Sequence, residues 1–70
     1  MNIDKAVDKS FATKSLKEIA DSPVDALKGV SEGDAELLQK AFNVKTVRDL
    51  AELKYVKWAQ AIVALSDTES

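Results

Sequence analysis

Ser22-Pro23-Val24-Asp25-Ala26-Leu27-Lys28-Gly29-Val30-Ser31-Glu32-Gly33-Asp34-Ala35-Glu36-Leu37-Leu38 is the stretch that decides the fold. Pro23 suits the first position of a helix, where its missing N–H costs nothing, and Val24 and Leu27 fall three apart on one side of that helix. Gly29 supplies the positive φ needed just past a helix end. Ser31 can then cap a second helix, with the Asp34 carboxylate in its first turn facing the positive end of the helix dipole. Two short helices joined by a tight Gly29-Val30-Ser31 turn are expected.

Working outward, the same capping signal recurs. Ser15 precedes Glu18, Ser22 precedes Asp25, Ser31 precedes Asp34 and Thr46 precedes Asp49, each a hydroxyl followed three residues later by a carboxylate. Asp is the weaker partner because its shorter side chain reaches back less well. Ile3, Val7 and Phe11 lie four apart and predict an N-terminal helix with one apolar stripe. Leu16 and Ile19 mark a short helix ended near Asp21-Ser22 by Pro23. Ala35 to Phe42 forms another, closed by Asn43, and Thr46 opens a helix through Leu50 and Leu53. The last element, about Lys54 to Leu65, is apolar nearly all round, as expected of a helix that is central to a core or pressed against a partner. Tyr55 and Ile62 flank Trp58 at helical spacing, which predicts a core stripe in which Trp58→Ala costs about 3 to 5 kcal/mol. The apolar surplus at Val56, Val63 and Ala64 predicts a protein interface on the same helix, including a homodimer. Ser66 to Ser70 is polar and expected to fray.

Seventy residues form one domain. The expected fold class is all-α: a compact orthogonal bundle of four to five short helices. Residues 1–13 are expected to form an N-terminal helix or arm packing on the domain, 14–66 the hairpin-containing domain, and 67–70 a disordered tail. With neither Cys nor His, the chain has no thiol nucleophile, thiolate site or near-neutral acid-base group. Asp21, Asp25, Asp34 and Glu36 each have a simpler role in capping or solvation. No catalytic, cofactor-binding or metal-binding residues are expected, and neither an enzyme nor a small-molecule substrate. No apolar run is long enough for a membrane span, and Met1-Asn2-Ile3-Asp4-Lys5 lacks the order of a signal peptide, so a cytoplasmic location is expected. Lys14, Lys17, Lys54 and Lys57 read as solvated surface.

From Val24 to Leu38 the chain resembles the helix-hairpin-helix family through Leu27, Gly29, Val30 and the small residue Ala35. Phe42 to Ala51 is similar to the segment that often follows such hairpins. The helix order also resembles that of SAM-like domains and of the C-terminal domain of the bacterial RNA polymerase alpha subunit. The resemblance implies phosphate contact at Lys28, Gly29, Val30, Ser31 and Gly33, supported by Lys40, Lys45 and Arg48. Ser31 stands where the family carries a second Gly, and Glu32, Asp34 and Glu36 repel an anion at that helix start. A net charge of −2 points the same way. The leading expectation is a non-enzymatic protein-interaction or assembly module. The alternative is weak, sequence-independent nucleic-acid binding by the hairpin.

Overall fold

The centre of the molecule is built from small side chains. Val7, Ile19, Val24, Ala26 and Val44 are the enclosed apolar residues among those described, and no aromatic ring is among them. The structure is a computed structural model describing residues 1–69, and it is all-α. Its helices are α1 (Ile3–Ala6), α2 (Leu16–Ala20), α3 (Glu32–Phe42), α4 (Val47–Glu52) and α5 (Lys54–Ser66), with single 3-10 turns at Lys9–Phe11 and Val24–Ala26.

Backbone pairing organises the centre. Val7 bridges antiparallel to Leu27, with the Asp8 amide donating to the Ala26 carbonyl at 2.8 Å and the Lys28 amide to the Ala6 carbonyl at 2.9 Å. On the other side Pro23 bridges to Thr46: the Val24 amide donates to the Lys45 carbonyl at 2.9 Å and the Val47 amide to the Ser22 carbonyl at 3.0 Å. The segment from Ser22 to Lys28 is thus stitched on both flanks, where the Ser22 and Ala26 carbonyls and the Val24 and Lys28 amides have partners, while the Val24 and Ala26 side chains are buried.

These pairings explain two departures from the sequence-based expectations. The helix expected over Val24 and Leu27 is one 3-10 turn, because so short a stretch between Pro23 and Gly29 nucleates poorly and its amides bond to neighbouring segments instead. The expected N-terminal helix stops at Ala6. Val7 turns extended (φ −126°, ψ 160°), and its β-branched side chain is enclosed at the bridge rather than shared along a stripe with Phe11.

Three of the four capping signals are formed. The Ser15, Ser31 and Thr46 hydroxyls accept from the Glu18, Asp34 and Asp49 amides, and each carboxylate accepts from its cap's own amide in return. Ser22 is the exception. It is buried, and its hydroxyl donates to the Glu18 carbonyl at 2.7 Å, closing the end of α2 instead of starting a new helix. Gly29 has φ +93° in the turn ahead of α3, and Asn43 ends α3 in the left-handed conformation at φ 57°.

α5 is anchored at one end only. Leu53 alone separates it from α4, and Leu53 and Val56 are the half-buried residues at that junction. Beyond Val56 every described residue is exposed. The molecule is accordingly long, 43 × 29 × 19 Å, with a radius of gyration of 13.7 Å where about 11 Å is usual for a chain of this length.

Candidate protein-docking face

At the hairpin, three of the residues expected to face phosphate, Lys28, Val30 and Ser31, make hydrogen bonds within the chain. Lys28 donates from its side-chain amine to the Asp4 carbonyl, tying the turn to α1. The Ser31 hydroxyl and amide are both taken by Asp34, at 3.1 Å each. Gly29 and Gly33 are exposed, and Val30 is half-buried, with its amide donating to the Leu27 carbonyl. Glu32, Asp34 and Glu36 are all exposed around the start of α3, where an anion would have to approach.

The basic residues are dispersed among separate elements. Arg48, on α4, donates from Nε to the Asp21 carboxylate beyond α2 at 2.9 Å, and this hydrogen bond holds its guanidinium pKa above the ordinary value. Lys45 contributes its amide to Asp49 and its carbonyl to Val24. Lys40 is exposed in the last turn of α3. Among the described residues, no group of three or more acidic side chains gathers as a metal site, and no helix is long and apolar enough to cross a membrane.

The conspicuous surface lies on α5. Tyr55, Trp58, Ile62 and Leu65 are spaced three, four and three apart, so they share one side of the helix, and they are 50%, 57%, 67% and 66% exposed. Phe42 at the end of α3 extends the stripe, its ring centroid 6.0 Å from that of Tyr55. Tyr55 and Trp58 meet edge to face at 5.7 Å, and the Lys54 ammonium lies over both rings, at 5.3 and 5.7 Å. The expected burial of Trp58 in the domain core is therefore corrected: its ring stands in solvent beside other rings of the same stripe.

This face was missed because spacing tells which side chains stand together and not what covers them. Of the residues expected at an interface, Val56 is half-buried at the domain junction, while Val63 and Ala64 are exposed further along. They line a shallow open groove with Ala59, Gln60 and Asp67. The Tyr55 to Leu65 stripe runs along the side of α5 opposite Val56 and meets the domain at Phe42, beside Tyr55. One signal in the sequence pointed to it. The 3-4-3 spacing is that of a seam between two helices, narrower than the stripe a helix turns toward a domain core.

No family model, curated protein or solved structure matches this chain.

Proposed function

We propose that this chain is a non-enzymatic protein-interaction or assembly module that docks through α5. The observation carrying this is the exposure of Tyr55, Trp58, Ile62 and Leu65 as one continuous seam. Scattered apolar residues are ordinary on protein surfaces, but a contiguous stripe containing a Trp and a Tyr has the composition of an interface centre. The hairpin then serves as the corner that joins α1, the 3-10 turn at Val24–Ala26 and α3, which accounts for the internal use of Lys28 and Ser31.

The test uses dilute chain. Trp58 fluorescence should be readily quenched by acrylamide, and Ile62→Asp should leave the thermal transition within a few degrees of wild type, as surface substitutions usually do. A protected Trp58 in the monomer, or a domain unfolded by Ile62→Asp, would show that α5 belongs to the chain's own core and would remove the docking role.

A further inference from the structure

Val7 alone carries the N-terminal arm into the core. Among residues 1–13 it is the one buried side chain, while Ile3, Ala6, Phe11 and Ala12 are half-buried and the rest are exposed. The turns of the arm satisfy their own backbone: the Val7 amide donates to the Ile3 carbonyl, that of Phe11 to Asp8 and that of Ala12 to Lys9. Among the described residues, the arm is hydrogen-bonded to segments beyond residue 14 only at Ala26 and Lys28. The Asp8 amide donates to the Ala26 carbonyl, and Lys28 donates to the Ala6 carbonyl through its amide and to the Asp4 carbonyl through its side chain. Beside these bonds the arm stands off from the hairpin, where Asp4, Lys9, Ala12 and Lys28 line an open cleft of about 370 Å³.

The other flank of the Ser22–Lys28 segment is held more firmly. The backbone bonds around the Pro23–Thr46 bridge are backed by the Ser22 hydroxyl on the Glu18 carbonyl, the Arg48–Asp21 ion pair and the Thr46–Asp49 cap, with Ser22, Val24 and Val44 all buried. α2 starts without help from the arm, because its capping box lies wholly within Ser15–Glu18. Thr13 and Lys14, between the arm and that cap, are exposed and outside any helix, so they can absorb a hinge motion without breaking an element.

Proteins open in cooperative units, and weakly anchored units open at the least cost. We propose that residues 1–13 are a releasable strap: they leave the Ser22–Lys28 edge while α2, α3, α4 and the Thr46 bridge stay folded, and the uncovered edge accepts an extended peptide segment built like the strap. Release frees the Ala26 carbonyl, the Lys28 amide and the space that Val7 fills. The way Val7 is seated specifies the replacement. Its backbone is extended, at φ −126° and ψ 160°, with a carbonyl before it for the Lys28 amide and an N–H after it for the Ala26 carbonyl. A ligand therefore needs one β-branched apolar residue in an extended stretch, not followed by Pro, which has no N–H to give. The Lys28 ammonium adds a preference for an oxygen acceptor three residues earlier, where Asp4 stands in the strap. Strand addition to an open edge works in this way, with backbone bonds for affinity and a side-chain pocket for selectivity. No residue of the α5 seam takes part, so this edge and the docking role of α5 stand or fall separately.

Two measurements on the full chain test the strap. In native-state amide exchange of wild type, Asp8 and Lys28 should share one opening with little urea dependence, about tenfold or more populated than the opening that releases the Val24 and Val47 amides. Val7→Asp should leave the strap detached from a folded chain, with Val24 and Val47 protected and Lys28 not. A synthetic peptide spanning Asn2 to Phe11 should then shift the amide signals of Ala26 to Lys28, and wild type, whose tethered strap competes, should need about tenfold more peptide or beyond. The same peptide carrying Asp8→Pro should bind far more weakly. Equal protection on the two flanks of wild type, or loss of Val24 and Val47 protection in Val7→Asp, would make the arm part of one cooperative core and overturn the strap. A folded Val7→Asp chain that ignores the peptide, or that binds the Asp8→Pro peptide equally well, would overturn the docking edge.

Discussion

Asp49 shows how much of this fold depends on single side chains. One of its carboxylate oxygens accepts from the amides of Lys45 and Thr46, at 3.1 Å each, while its own amide donates to the Thr46 hydroxyl at 3.0 Å. The two backbone bonds hold its carboxyl below the ordinary 3.8, and the backbone bond from Ser15 acts similarly on Glu18, holding it below 4.5. Both groups bind protons more weakly folded than unfolded. Their stabilisation is therefore complete above those ordinary values and is lost as pH falls through the lower folded ones. Thr46→Ala should cost about 1 kcal/mol in urea denaturation at neutral pH. Asp49→Asn should flatten the loss of stability measured below about pH 4. These caps were legible in the sequence because hydroxyl and carboxylate act within one turn. Ser22 carried the same signal and does something else, since its surroundings are decided by Val47 and Glu18 rather than by Asp25.

At the scale of elements, legibility follows the range of the interactions. α2, α3 and α4 start at formed caps and α3 ends at Asn43, so their boundaries lie close to those expected from local patterning. The segments around Val7 and Val24 were misjudged because their conformation depends on pairing with residues about twenty positions away. Periodicity within a short window contains no trace of such partners. The same limit exchanged the roles of Val24 and Trp58: the smaller residue is 1% exposed, and the larger one stands on the seam. Val24→Ala should therefore destabilise the folded chain by about 2 kcal/mol. Trp58→Ala should cost the monomer under about 1 kcal/mol, while abolishing association through α5. Denaturation of dilute chain, set beside a dimerisation measurement, separates the two effects.

For the whole molecule, the arrangement is a small enclosed centre with a long apolar appendage. An enclosed set dominated by Val and Ala removes little apolar surface from water, so the isolated chain should be only modestly stable. A partner that binds the folded chain through α5 stabilises it by mass action, so the midpoint of thermal unfolding should rise with that partner's concentration, and with the chain's own where the partner is a second copy. Ile62→Asp should abolish that rise without lowering the midpoint at high dilution. Calorimetry across a concentration series would reveal it, and a midpoint independent of concentration in wild type would contradict coupled dimerisation.

The single attachment of α5 also bears on when that helix exists. Thirteen residues are close to the shortest length at which a helix persists in water, and only the Leu53 to Val56 end has the domain to lean on. Its C-terminal turns should therefore melt and re-form in the free chain and become persistent on pairing, so that recognition includes a coil-to-helix transition. Amide hydrogen exchange should report this directly: in dilute chain Ile62 to Ser66 should exchange far faster than Val24 and Val44, whose protection follows global stability.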